Sequence, residues 1–326
     1  MRNILLVLLA VLLSQACAND DDGLGGTVVP PRLLTEVSAE DDAEIQDFLR
    51  THTYNYEEFE NPPADFDFKI RIDTLAGDNA DKTPLSDLVQ SEVVNVSSIQ
   101  FPLIEEENDV PHTFYYLSAK EGEGLNPTTA DSVLVKYEGM VLNGAPFDAS
   151  TSFTWFNQAS NIRGFANGIA KFRTGTTGGI IENPDGTTDF TNSGVGLIIM
   201  PSGLGYFNGN GGSNLISAYS SLIFQVNVGL TIVDTDTDQD GIPNRLEDLN
   251  GNDYFFDDNT DSQVEASAGF PATANFRDSD DDGDGIPTRE EISDADGNII
   301  FPYPDDDNNG IDDYLDVDFQ RTVGDN

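Results

Sequence analysis

The chain has 326 residues, with 59 acidic against 15 basic side chains and a formal net charge of -44. Such a surplus repels phosphate and excludes nucleic acid as a partner, and its self-repulsion opposes a single metal-free core. The surplus is concentrated: residues 234–318 hold 27 Asp/Glu against only Arg245, Arg277 and Arg289, so a cationic partner is expected there.

In chain order, Arg2 precedes an apolar run from Ile4 to Leu13 and then Ser14-Gln15-Ala16-Cys17. This is the layout of a signal peptide over residues 1–16, and the run is too short to span a membrane. Cys17 is the only cysteine, so no disulfide forms within the chain. Two readings of it stay open: ordinary cleavage near Ala16, or lipidation of Cys17. The position resembles that of the acylated first residue of bacterial lipoproteins, which implies an anchor in the outer membrane, on the periplasmic or the surface face. Asn19-Asp20-Asp21-Asp22 resembles the acidic tethers of some Bacteroidetes-type surface lipoproteins, or is a solvated linker within a flexible segment 17–37.

Residues 38–109 predict an N-terminal extension. Ser38 followed by Asp41 marks a helix start, with Ile45, Phe48 and Leu49 as its apolar stripe. Phe66 to Ile72 alternates strictly and predicts a strand, and Glu92 to Val96 predicts another. Packing of this extension on the following domain is expected, with dimerisation as the alternative.

From Val133 the sequence reads VLVKYEGMVLNGAPFD. Val133, Val135 and Tyr137 alternate as in a half-buried strand, and Asn143-Gly144 is a tight-turn pair. Further on, Phe165, Ile169 and Phe172 share one helix face. Leu197 to Met200 leads into Pro201-Ser202-Gly203-Leu204-Gly205-Tyr206, and Leu222, Phe224, Val226, Val228, Leu230 and Ile232 alternate along a last strand. These segments, in this order over residues 110–233, resemble the FKBP-type peptidyl-prolyl cis-trans isomerases. The resemblance implies an α+β fold in which an antiparallel sheet wraps one helix. It also implies a proline pocket made by Tyr137, Phe147, Asp148, Ile162, Phe165, Tyr206, Ile216 and Phe224, acting on proline-containing polypeptide clients without a cofactor. Tyr206 would donate to a substrate carbonyl. Asp148 would hydrogen-bond a tyrosine or polarise the amide. Phe165 stands where the family more often has Trp, Asn161 where an aliphatic residue is usual and Phe207 where Gly is usual, while Thr176 to Val195 is an insertion. Phe153, Trp155 and Phe156 read as core and pocket wall, and His52 and His112, the only histidines, as surface residues.

Residues 234–326 carry a repeated spacing. Asp236-x-Asp238-x-Asp240-Gly241 ends at Glu247, Asp280-x-Asp282-x-Asp284-Gly285 at Glu291, and Asp305-x-Asp307-x-Asn309-Gly310 at Asp316. Alternating carboxylates with a glycine bend suit calcium, a hard cation that takes six to eight oxygen ligands. Half-motifs follow the first two at Asp248-Asn250-Asn252 and Asp294-Asp296-Asn298. Pro243 and Pro287 cannot make the short β-pairing of an EF-hand loop. The array resembles thrombospondin type 3 repeats, which implies structural calcium and little regular structure. Two functions from different classes follow: a cell-envelope prolyl isomerase, or a non-catalytic subunit that docks on an outer-membrane assembly.

Overall fold

The computed structural model describes residues 30–321 apart from 102 and 210. The expected signal peptide, Cys17 and residues 17–29 of the tether lie outside the described residues. Residues from Arg32 onward form one unit, a mixed α/β fold with a large antiparallel sheet and few helices.

That unit opens with α1 (Leu34–Thr51), β1 (His52–Tyr54), α2 (Tyr56–Glu60) and β2 (Ile72–Thr74). The helix starts at Leu34 rather than near Ser38, because its first amides are capped from afar. Glu107 accepts from the Leu34 and Thr35 amides at 2.5 and 3.1 Å and from the Thr35 hydroxyl at 2.6 Å, supplying the anion that a helix N-terminus favours. The expected strand over Phe66–Ile72 is not formed. Only Ile72 joins β2, and Phe68, at φ 52, breaks the extended run so that the Phe59, Phe66 and Phe68 rings meet instead.

The sheet continues with β3 (Gln90–Val96), β4 (Val110–Lys120), β5 (Ser132–Val141), β6 (Pro146–Ala149) and β7 (Thr154–Asn157). Then come α3 (Arg163–Ile169), a small hairpin of β8 (Ile180–Glu182) and β9 (Thr188–Phe190) inside the insertion, β10 (Gly194–Met200) and β11 (Leu222–Ile232). Strand order is β3-β4-β10-β11-β5-β6, with β7 also on β5. Since β3 pairs along its whole length with β4, the sheet begins before the boundary expected at residue 110. Gly144 at φ 83 closes the β5–β6 hairpin as the Asn-Gly pair predicts.

Both faces of the sheet are covered. Phe165, Ile169 and Phe172 of the α3 region pack with Val133, Val135, Ile198, Phe224, Val226 and Val228 on one face. Tyr115, Leu117, Leu197, Ile199 and Ile223 point to the other, where Ile45, Phe48 and Leu49 of α1 lie with Tyr54, Ile70 and Leu85. The expected N-terminal extension is thus the second layer of a single core. Asp41 of α1 fixes it further, accepting from both the amide and the hydroxyl of Ser202 at 2.7 Å. The face shared by Leu222, Phe224, Val226 and Val228 ends at Gly229, where the β11–β5 register shifts. Ile232, beyond this bulge, is exposed.

The C-terminal segment contains little regular structure: α4 (Ser262–Ala268), α5 (Thr288–Glu291) and single turns of 3-10 helix. It packs on the sheet unit through Phe255, Ala274 and Phe276 against Ala130 and Ala159, and Asn244 donates to the Ala130 carbonyl.

Candidate functional site

Strand β5 is paired along one edge by two short strands. Its first half, Ser132–Val135, pairs with β7, and its second half, Glu138–Met140, with β6. Tyr137 stands at the junction, so residues from both short strands converge on its ring. Its centroid lies 5.6 Å from Phe156, 6.0 Å from Phe165 and 6.2 Å from Phe224. Phe147 meets Phe224 edge-on at 5.6 Å, and Phe165 meets Phe224 at 5.1 Å. Such tilted and T-shaped contacts are favoured by the ring quadrupole. Gly139 makes room for this: a Cβ there would come within 2.6 Å of Phe147 and 2.9 Å of Phe224.

Ile162, the residue before α3, and Tyr206, Ile216 and Tyr219 belong to the same cluster. Phe165, Ile216 and Phe224 are buried, Tyr137, Phe147, Ile162 and Tyr206 half-buried, and Asp148 exposed. The cluster is therefore open on one side. The Tyr137 hydroxyl donates to Asp148 Oδ2 at 2.5 Å. Burial, and then the Asp148 carboxylate, push the Tyr137 phenol up. Burial followed by the charge of Asp148 does the same to Tyr206. Both phenols are held as donors. The segment after Tyr206 closes over it, since a Cβ on Gly211, at φ 56, would meet the Tyr206 ring at 2.4 Å. All eight residues singled out in the sequence thus lie in or beside one aromatic cluster, and Phe156 completes its wall. Trp155 does not: it is 46% exposed, because neighbouring strand residues point to opposite sides. Phe153 packs instead on Phe190 of the insertion. His112 is also not a surface residue. It is fully buried, its Nδ1 is 2.9 Å from the Val110 carbonyl, and burial depresses its pKa.

The three acidic loops share one backbone design. Gly241, Gly285 and Gly310 donate their amides to the first aspartate of each loop, Asp236, Asp280 and Asp305, at 3.1, 3.1 and 3.0 Å. The amide after each glycine returns to the fifth residue of its loop, Asp240, Asp284 or Asn309, at 2.7, 2.7 and 2.8 Å. All three glycines have positive φ, a conformation that an L side chain resists. A 3-10 turn at Asn275–Arg277 precedes the second loop, and each loop carries a single helical turn at its end, at Asn244–Leu246, Thr288–Glu291 or Asp313–Leu315.

Asp236, Asp238 and Asp240 offer oxygens within 4.8 Å of one another, as do Asp280, Asp282 and Asp284. Glu247 and Glu291, which end these loops, are 1% and 0% exposed, and neither carboxylate has a hydrogen-bond partner. Isolated ionised carboxylates are costly to bury. Burial, reinforced by neighbouring carboxylates, pushes Glu247 up to about 10 and Glu291 to about 9. These orphaned oxygens, all from carboxylates, fit a hard divalent cation. Asp281 escaped the sequence reading: it belongs to the second loop, yet its oxygens group with Asp240 and Glu247 of the first. Local spacing carries no sign of such a ligand. In the third loop the Asn309 amide donates to Asp307 at 3.2 Å and to Asp316 at 2.6 Å, so these carboxylates are satisfied within the loop.

One buried cation joins the two regions. Arg163, the first residue of α3, is 7% exposed. It donates to the Asn95 carbonyl of β3 and to the Asn252 carbonyl of the first half-motif, both at 2.6 Å, and lies over the Tyr254 ring.

A family model described as BamM C-terminal matches residues 237–303. No curated protein matches the chain. Among solved structures, a peptidyl-prolyl cis-trans isomerase of Pseudomonas syringae is similar at 23% identity, over 36% of this chain and 74% of that one, with a TM-score of 0.29. FkpA from Escherichia coli is similar at 24% identity, over 36% of this chain and 47% of its own, with a TM-score of 0.28.

Proposed function

We propose that the chain is a peptidyl-prolyl isomerase of the cell envelope, with its pocket on the sheet unit and a calcium-stabilised C-terminal segment beside it. The observation that carries this reading is the convergence of Tyr137, Phe147, Asp148, Phe165 and Phe224 from separate elements into one open aromatic cluster. X-Pro bonds interconvert over roughly tens to hundreds of seconds, behind a resonance barrier of about 18–20 kcal/mol. The twisted transition state loses that resonance and is less polar at its carbonyl. A site that grips the prolyl ring among Phe147, Phe165, Phe224 and Ile162 and holds water off favours the twisted amide over the planar one. Asp148 is engaged by the Tyr137 hydroxyl, which favours an orienting role for it. Tyr206 is the phenol left to donate to a substrate carbonyl. No nucleophile or cofactor takes part.

Calcium at Asp236, Asp238, Asp240 and Glu247, and at Asp280, Asp282, Asp284 and Glu291, would offset the repulsion of the acidic segment; Asp305, Asp307, Asn309 and Asp316 would take an ion only with the Asn309 amide turned away from Asp307 and Asp316. Asp281 would serve the first of these sites. A lipid on Cys17 would hold the chain to the outer membrane beside its exported clients. Cys17→Ser should then abolish lipid labelling and membrane recovery, whereas a wild-type chain found unlipidated and cut near Ala16 would remove this part of the proposal.

The second reading is a non-catalytic subunit docking on an outer-membrane assembly. The observation favouring it is the BamM C-terminal match over residues 237–303, which takes in the second loop and all of the first but Asp236. A protease-coupled proline-peptide assay on the chain without residues 1–17 separates the two. Acceleration across several residues preceding proline supports the isomerase, and the uncatalysed rate throughout supports docking.

A further inference from the structure

Between the first two acidic loops the chain makes a detour through α4, and this detour brings carboxylates to the second loop. Asp261 precedes α4, Glu265 lies in its first turn, and Asp278 stands just ahead of the second loop's first aspartate. One oxygen from each lies within 4.8 Å of the others. None of the three belongs to the repeated spacing.

Asp261 is 6% exposed, and its Oδ1 is shut off from solvent with no hydrogen-bond partner. Asp280 Oδ1, in the adjoining loop, is in the same condition. Glu265 is held in place by its neighbours: the Thr273 amide donates to Oε1 at 2.9 Å and to Oε2 at 3.1 Å, and Asn259 Nδ2 donates to Oε2 at 2.8 Å. The Asp280 amide donates to Asp278 Oδ1 at 3.1 Å. Among the described residues no lysine or arginine pairs with the group. Arg277 is next in sequence, but its guanidinium lies over the Phe256 and Phe276 rings at 4.7 and 5.0 Å.

The second loop wraps this group closely. A Cβ on Gly283 would come within 2.4 Å of Asp261 Oδ2. A cavity of about 400 Å³ opens beside it, lined by Asp261, Glu265, Asp278, Asp280 and Gly283 with Val264 and Phe270. It has room for an ion and its waters.

We propose that Asp261, Glu265 and Asp278 form a further divalent-cation site, outside the three repeated loops, that ties α4 to the second loop. Calcium is the ion it suits. The donors are carboxylate oxygens with no imidazole or thiolate among them, and the open side leaves positions for water in a coordination shell of six to eight. A cation here removes the repulsion among three carboxylates and gives the stranded Asp261 oxygen a partner.

Native mass spectrometry of the intact chain in calcium alone counts the ions. Wild type is expected to hold one calcium more than Asp261→Asn and one more than Glu265→Gln, while Asp282→Asn loses an ion from the second loop. Near-ultraviolet circular dichroism checks folding, and if Asp261→Asn does not fold, the Glu265→Gln count decides. Variants holding the wild-type number of ions would overturn this site and leave the three loops standing. A wild-type chain that holds no calcium would overturn both.

Discussion

The Tyr137 hydroxyl donates to Asp148 across the β5–β6 hairpin at 2.5 Å, locking the ring at the junction of two short strands. The carboxylate is exposed, so the bond positions the ring more than it holds the fold. Asp148→Asn retains an acceptor and should keep kcat/KM within about threefold of wild type. Asp148→Ala should lose roughly tenfold, the equivalent of about 1.4 kcal/mol. Chemical denaturation should place both variants within about 1 kcal/mol of wild type.

Phe147 and Gly139 test the same wall from opposite directions. If the chain is an isomerase, Phe147→Ala should remove contact with the prolyl ring and lower kcat/KM by at least about tenfold. Because the side chain is only half-buried, the stability loss should stay below the roughly 3–5 kcal/mol of a core Phe→Ala change. Gly139→Ala places a methyl into the Phe147 and Phe224 rings and should impair activity while leaving the Asn143-Gly144 turn intact. Steady-state kinetics beside denaturant titrations separates the two effects.

The fold was legible where its cause is local. Period-2 alternation in β5, the Phe165-Ile169 face and the Asn-Gly turn each depend on residues close in sequence, and the structure places them as their patterns require; Phe172 joins the same core from the turn after α3, because the helix ends at Ile169. The cap that Glu107 gives α1 and the burial of His112 depend on distant partners and left no local pattern. The candidate sites divide in the same way. Spacing alone exposes Asp236, Asp238 and Asp240, but not Asp281, which reaches the first loop only after the second has folded beside it. Arg163 reads as an ordinary polar residue at a helix start. Its bonds to Asn95 and Asn252 exist only once the sheet and the acidic segment have come together.

Arg163 makes calcium removal informative. Its guanidinium holds the Asn252 carbonyl, and the residue before it, Ile162, belongs to the aromatic cluster. If calcium orders the acidic segment, chelation should leave the sheet cooperatively folded, because its two apolar layers lie largely outside the loops. It should also lower kcat/KM, on the order of tenfold. Parallel melting and activity measurements with and without chelator check this. Loss of the cooperative sheet transition, or unchanged activity after complete calcium removal, would contradict it.

Asp41 gives the fold a pH dependence that needs no metal. Burial pushes its carboxyl up from 3.8 to about 6, against the opposing bonds from Ser202. For an acid whose folded pKa is raised, the folded state binds the proton more tightly. This contribution is therefore fully present below about pH 4 and is lost as pH rises to about 6, a change of about 3 kcal/mol. The stability of wild type relative to Asp41→Asn should fall across that window and stay level above it. Denaturant titrations of both proteins in chelator, from pH 4 to 8, measure the difference directly.

Exchange NMR on a proline peptide reads cis-trans interconversion itself, with no coupling protease to attack the loops. Substoichiometric chain without residues 1–17, in calcium, should produce exchange cross-peaks between the cis and trans forms. Phe147→Ala should weaken them strongly, and Tyr206→Phe to a lesser degree. Cross-peaks no stronger than those of the peptide alone, with protein shown to be folded and calcium-loaded, would contradict the isomerase and leave the aromatic cluster as a binding surface.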